Sequence, residues 1–374
     1  MIDISSLPRI QGSVAGKTLF IRVDFNIELI AGKLSPFGLF KVRAAVPLLQ
    51  KLLQKGARIV VASDLGHPHG PTPDLSLKPF VKVLRELLGQ ECVLGSVDAY
   101  IRGEYASTPC VLLENLRFSP EEEKGDKAWA KALAKQCDVY INEAFADSHR
   151  SHASLVRIPQ HIPSYVGPRF VEEVQALNKV MSPRFTRKLL IMGGKKISSK
   201  MGYIRNLASI FDTILIGGAL ANNFTKSQGF DIKHSFYEPE YMKDAARLMR
   251  ALKDTIVLPQ DVVWDKAGET IVDIGPKTVT DFVARLQGVH VVVWNGPLGI
   301  FEEKRSLSSA KRIGDALVKQ PKTYTVVGGG ETNMNLDQLG LLHEFSYAST
   351  AGGAMLHYLA HGELPALKYI QKNT

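Results

Sequence analysis

The segment KLLIMGGKKISSK, Lys188 to Lys200, runs apolar from Leu189 to Met192, stops at Gly193-Gly194, and is followed at once by Lys195, Lys196 and Lys200. A short apolar run bounded by glycine is the pattern of a strand buried on both faces of a parallel sheet. TILI (Thr213 to Ile216), VHVVVWN (Val289 to Asn295) and TYTVV (Thr323 to Val327) read the same way. So, in the first half, do TLFIRVDF (Thr18 to Phe25), ARIVVAS (Ala57 to Ser63), CVLLEN (Cys110 to Asn115) and DVYINEAF (Asp138 to Phe145). Amphipathic helical stretches lie between them, among them Val42 to Leu53, Leu77 to Leu88 and Lys127 to Lys135. This alternation predicts the α/β class, with mostly parallel sheets covered by helices on both faces.

With 374 residues the chain exceeds what one core usually organises. Two doubly wound parallel-sheet (Rossmann-like) domains joined by a helix hinge are therefore expected. The Pro-containing stretch Ile158 to Pro168 and the pair Ser182-Pro183 bracket a helical segment. Domain limits of 1–168 and 182–361 follow, with 169–181 as the connecting helix.

Composition narrows the function. The content is 45% hydrophobic and 22% charged, ordinary for a globular chain. No apolar run is long enough to span a bilayer, and MIDISSLPRI lacks the basic flank and apolar stretch of a signal peptide, so a cytoplasmic protein without a membrane partner is expected. Cys92, Cys110 and Cys137 have unrelated spacings and no C-x-x-C pair, which reads as buried free thiols. The charge of +9 comes from scattered basic residues without an Arg-rich arm. That pattern fits small phosphates or a plain solvated surface better than nucleic acid.

Four strands of the second half end in glycine runs: Gly193-Gly194, Gly217-Gly218, Gly328-Gly329-Gly330 and Gly352-Gly353. In doubly wound folds ligands sit outside the carboxyl ends of the strands, where helix N-termini offer free N–H groups. A single pair is the mark of a tight turn; four in one domain point to a phosphate cradle, with glycine letting the backbone come close. Lys196 and Lys200 are four apart, so on a helix they share a face and reach one anion. GSVAGKT (Gly12 to Thr18) is one residue short of a P-loop and precedes a strand, so it reads as a turn. His149 and His152 have no partner set with zinc spacing and read as structural.

The stretches RVDFN (Arg22 to Asn26), LLENLRF (Leu112 to Phe118), HRSHAS (His149 to Ser154), LPQDVV (Leu258 to Val263), DIGPKT (Asp273 to Thr278), WNGPLGIFE (Trp294 to Glu302) and GGGET (Gly328 to Thr332) resemble the phosphoglycerate kinase family. They occur in the family's order over nearly the whole chain. The resemblance implies a cytoplasmic, monomeric, hinge-bending glycolytic enzyme, a phosphotransferase with a carboxyl group as acceptor. ATP/ADP and Mg2+ would be its cofactors. An N-terminal acceptor domain would take 3-phosphoglycerate, the tail 362–374 would pack on that domain, and the C-terminal domain would hold Mg-nucleotide.

It also implies roles for particular residues. Arg22, Asp24, Phe25, Asn26, Lys41, Asp64, His67, Arg117 and Arg150 would meet the acceptor. Lys41, Lys196, Lys200, Gly352 and Gly353 would act in transfer. The nucleotide would meet Gly193, Gly194, Lys196, Lys200, Gly217, Gly218, Asn295, Pro297, Glu302, Gly328, Gly329, Gly330, Glu331 and Thr332, with Glu331 also serving the metal.

Departures fall mainly on the acceptor side. Lys41 stands where the family has an arginine, keeping the charge and losing the bidentate fork. The family's S-H-L-G-R-P loop reads Ser63-Asp64-Leu65-Gly66-His67-Pro68. Asp64 there is expected to repel a substrate phosphate, or to pair with an ammonium group on an amino-acid-like acceptor. Ser199 and Glu331 replace aspartates, and Ala219 and Ala351 replace glycines. Three readings stay open: a phosphoglycerate kinase with a tolerant loop, a paralogue acting on another carboxylate, and a non-catalytic binding protein.

Overall fold

The computed structural model describes residues 1–27, 29–30, 32–300 and 307–370. Contacts divide the chain into two units, Met1–Gln175 with Glu363–Thr374, and Ala176–Gly362. The division falls inside the helix Pro168–Met181.

The first unit is built on six parallel strands: β1 (Thr18–Arg22), β2 (Arg58–Ala62), β3 (Val93–Gly95), β4 (Cys110–Leu113), β5 (Val139–Asn142) and β6 (Ser164–Val166). Their order is β3-β4-β2-β1-β5-β6. Four central strands are buried almost throughout, which is why they read as unbroken apolar runs. Leu19, Ile21, Ile59, Val61, Leu112 and Ile141 form the core with Leu49 and Phe80 of the covering helices.

Two strands stop earlier than their apolar runs. β1 ends at Arg22 because Phe25 N–H then donates to Ser63 Oγ (2.9 Å) and Asn26 N–H to Asp24 Oδ1 (3.1 Å). β5 ends at Asn142, whose side-chain oxygen accepts from Ala144 N–H (2.9 Å). In both places a side chain takes over from the neighbouring strand. The GSVAGKT segment is a turn before β1, closed by Lys17 N–H on Val14 C=O (3.1 Å).

The second unit has β7 (Lys188–Met192), β8 (Thr213–Ile216), β9 (Ile256–Val257), β10 (Val291–Asn295), β11 (Tyr324–Gly328) and β12 (Tyr347–Ser349). All run parallel in the order β9-β8-β7-β10-β11-β12. This is the 3-2-1-4-5-6 order of a doubly wound sheet, whose direction of winding reverses between β7 and β10. A crevice therefore opens at the carboxyl ends of these two strands. Beside the sheet, LPQDVV and DIGPKT clasp each other. Asp261 Oδ1 accepts from Thr278 N–H and Oγ1 (2.7 Å each), and Oδ2 from Lys277 N–H (3.0 Å), fixing the start of the helix Pro276–Arg285.

Candidate functional site

At the reversal point of the second unit the strand-end loops interlock. Gly193 N–H donates to Asn295 C=O (2.9 Å), Gly194 N–H to Pro297 C=O (2.7 Å), Gly217 N–H to Met192 C=O (2.9 Å) and Gly218 N–H to Leu298 C=O (2.9 Å). A methyl group on Gly193 would lie 2.1 Å from Pro297 O, and one on Gly218, at φ +61°, 2.7 Å from the same oxygen. These glycines are required because one loop presses on the next. Their N–H groups are spent on carbonyls, which corrects the expectation that the first two pairs cradle a phosphate directly.

The later glycine runs differ. The helices Gly330–Gln338 and Gly353–His361 start there with no side-chain cap. The first N–H groups of a helix have no partner within it, so these termini present donors and a positive dipole end. Gly329 (φ +100°) and Gly352 meet backbone to backbone; a methyl on Gly352 would sit 3.2 Å from Gly329 Cα. Only glycine lets two helix starts come this close.

Lys196 and Lys200 do not share a helix face. Residues 197–200 form a turn in which Lys200 N–H and Met201 N–H both bond Ile197 C=O (3.0 and 2.8 Å), and the helix begins at Met201. Isoleucine and two serines after the glycines favour that turn over a helix. Lys196 is exposed. Lys200 is half-buried, its Nζ 2.7 Å from where a Gly194 methyl would be. Burial lowers its pKa, and the negative charge of Glu331 partly offsets this.

Lys200, Asn295, Pro297, Gly330, Thr332 and Gly353 line one cavity of about 370 Å3. Thr332 Oγ1 accepts from Gly296 N–H (2.7 Å) and keeps its own proton to donate. Asn295 Nδ2 donates one of its two hydrogens to Gly328 C=O (3.0 Å). A second cavity of about 250 Å3 lies across Pro297, walled by Phe236, Val272, Leu298 and Ile300; Glu331 borders both. Two cavities that share Pro297 and Glu331, one beside a lysine and open helix starts and the other walled largely by apolar side chains, suit a molecule with a charged and a flat apolar end. Phe236 and Val272 were not marked by any motif, since single apolar residues carry no spacing signal. Glu302 lies outside the described residues.

In the first unit the carboxyl ends of β1, β2, β4 and β5 gather the charges. Arg22 is wholly buried and pairs with Asp64; its Nη1 lies 3.3 Å from Asp147, and its Nε donates to Ser154 Oγ (3.1 Å). Asp64, also wholly buried, is 3.1 Å from Arg117 Nη2 and accepts from Asn26 Nδ2 (3.0 Å). Arg117 further pairs with Glu123 (3.3 Å). Lys41 Nζ donates to Asp24 Oδ2 (2.7 Å) and Asn26 C=O (3.2 Å). Phe25 stacks on Phe80 in the core, with ring centroids 5.5 Å apart. Arg150 is one-third exposed, 3.8 Å from Asp147, and His67 is exposed.

Asp64 thus turns inward as counter-ion to two arginines and does not face an acceptor, which corrects both expectations built on it. Burial opposes its ionisation, but Arg22 and Arg117 hold its pKa down to about 2. Burial, reinforced by the Asp64 charge, raises Asp147 to about 7. His152 is lowered to about 3 by burial and by Arg117 and Arg22, so it is neutral. Among the described residues no cluster of three or more His, Cys, Asp or Glu is placed to hold a metal. None of the described helices is long and apolar enough to cross a membrane.

Two doubly wound parallel sheets, one edged by uncapped helix starts around a half-buried lysine and a carboxylate, define an α/β protein of the phosphate-handling type. The family model described as phosphoglycerate kinase matches residues 10–362. The phosphoglycerate kinase of Dictyoglomus turgidum is 35% identical over 382 residues, covering 95% of this chain and 96% of its own. A Pyrococcus horikoshii phosphoglycerate kinase structure superposes with a TM-score of 0.83 at 28% identity, covering 97% of this chain and 98% of that one. One from Coxiella burnetii gives 0.77 at 29%, covering 96% and 97%. The chain belongs to the phosphoglycerate kinase family, and so to the kinases.

Proposed function

We propose that the chain catalyses reversible phosphoryl transfer between ATP and a small carboxylate, with 3-phosphoglycerate as the acceptor and 1,3-bisphosphoglycerate as the product. The observation that carries this reading is the cavity holding Lys200, Thr332 and the uncapped helix starts at Gly330 and Gly353. Phosphoryl transfer asks little covalent chemistry of a protein; positioning and neutralisation of the phosphoryl oxygens supply most of the rate. In this reading Lys200 and the two helix starts neutralise those oxygens, Thr332 donates to them, and the exposed Lys196 adds charge at the rim. The apolar chamber beside Phe236 and Leu298 takes the base.

A magnesium nucleotide supplies the transferable phosphoryl group with its charge partly neutralised. Magnesium is commonly held by one or two carboxylates together with phosphates, so Glu331, exposed in the first turn of its helix, fits as its protein ligand. Of the basic residues that the resemblance assigns to the acceptor, Arg150 and His67 keep exposed surface, while Lys41 and Asp24 hold each other in place. The idea of an amino-acid-like acceptor paired with Asp64 has no support in this arrangement, because that carboxylate is enclosed.

The test is turnover with Mg-ATP and 3-phosphoglycerate beside a panel of other small carboxylates, trapping the acyl phosphate as hydroxamate. Turnover with 3-phosphoglycerate is expected, and Lys200→Ala should lower kcat by about 10²- to 10³-fold. Turnover only with a different acid overturns the acceptor assignment. ATP binding without turnover on any acid overturns catalysis itself.

A further inference from the structure

Cys92 and Cys110 belong to neither site described above. Cys92 immediately precedes β3 and Cys110 opens β4. These parallel strands pair Val93 with Val111, so the two cysteines are lateral neighbours and their side chains leave the same face of the sheet. Their sulfurs are 2.9 Å apart, with the Cys110 thiol donating to Cys92 Sγ. Adjacent strands lie about 4.8 Å apart, within the Cα spacing of roughly 4.4–6.8 Å that a disulfide spans. Both side chains are wholly buried, and β3 is the edge strand.

The chemistry divides between the two sulfurs. The hydrogen bond from Cys110 outweighs burial and makes Cys92 the more acidic thiol, while the same bond and burial push Cys110 up. Cys137 is elsewhere, its thiol raised to about 12 by burial and directed at the carbonyls of Leu133 and Ala134 (3.7 and 3.6 Å). The residues before the pair, Glu91 and Pro109, are exposed, so opening of this short sheet edge admits a small oxidant without unfolding the core.

We propose that Cys92 and Cys110 are a redox-modification site, oxidised by a peroxide to an intramolecular disulfide that ties β3 to β4. The Cys92 thiolate attacks one peroxide oxygen; the S–O bond forms, the O–O bond breaks, and the departing hydroxide takes up the proton that Cys92 lost. Cys110 then attacks the sulfenic sulfur. The S–S bond forms, the S–O bond breaks, and the hydroxide leaves with the Cys110 proton. The two sulfurs lose two electrons, and one peroxide becomes two waters.

The experiment exposes the full chain to hydrogen peroxide, alkylates it in denaturant without reductant, and maps its peptides by mass. A linked pair carrying Cys92 and Cys110, short of two hydrogens and released by dithiothreitol, is expected, with Cys137 alkylated as before. Cys137→Ser should keep the link. Cys110→Ser should lose it and leave a sulfenic acid on Cys92 that dimedone traps. Full alkylation of all three cysteines after peroxide, or over-oxidation of Cys92 without a linked peptide, overturns the proposal. The map of the unmutated chain decides it even if a serine variant folds poorly.

Discussion

Asp64 shows how one side chain can reverse the meaning of its own motif. Read along the chain it is a carboxylate in a loop where a phosphate is expected; in three dimensions it is the shared partner of Arg22 and Arg117, with no exposed surface. Removing one member of a buried ion pair strands the other. Asp64→Asn is therefore expected to cost about 3–5 kcal/mol in urea unfolding, more than the near-zero cost of breaking an exposed pair such as Lys82–Glu86. Because its folded pKa is depressed to about 2, the contribution of Asp64 is complete above the unfolded carboxylate value and is lost as pH falls through the acid range. Asp273 behaves oppositely. Burial raises it to about 7, against hydrogen bonds from Ser309 Oγ (2.6 Å) and Ile274 N–H (2.8 Å). Between the unfolded value near 4 and about 7 the folded chain holds a proton that the unfolded chain lacks, so this group's contribution falls as pH rises through that window. Asp273→Asn should flatten that slope, gaining on the order of 2.5 kcal/mol at pH 8 relative to pH 5. Unfolding curves at the two pH values check it.

At the scale of the element, the strand-end loops of the second unit divide their glycines between packing and presentation. Gly218→Ala combines a positive φ with a contact of 2.7 Å to a fixed carbonyl, so it should destabilise this unit by several kcal/mol. Gly202, in the helix Met201–Leu207, has open space around its missing methyl and no left-handed φ. Gly202→Ala should therefore stabilise by about 0.5–1 kcal/mol. Thermal unfolding of the two variants side by side tests whether position, and not glycine as such, sets the outcome. The sequence marks Gly218 as part of a strand-end pair, but it does not record the Pro297 carbonyl that makes its missing methyl matter. The same limit governed Lys196 and Lys200. Their spacing of four holds on any helix, but three intervening residues that favour a turn removed the helix.

Across the whole molecule, the chain's last described helix returns to the first unit. Ala366, Leu367 and Ile370 are buried, and Ala366 N–H donates to Ser148 C=O (3.1 Å) beside the cluster of Leu155 and Val156. Ending the chain at Gly362 should lower the stability of the first unit by several kcal/mol, seen as faster amide exchange around Ala153–Val156 with exchange in β7 and β10 unchanged. The parallel α/β class and the family were legible in the sequence alone. Strands buried on both faces must be apolar throughout and must end where the backbone turns, so KLLIM-Gly-Gly declares its place in a sheet without reference to any other segment. The glycine-marked edge of the second unit was legible for the same reason. What the sequence could not contain is the direction in which a charge faces. Asp64 meets Arg22 and Arg117 across 42 and 53 positions of chain, and Gly193 is required by Pro297 more than a hundred residues away. Which charges neutralise one another, and which helix starts stay open, is decided only when the strands lie side by side. Burial and Coulomb attraction act on distance in space, and spacing along the chain does not record it.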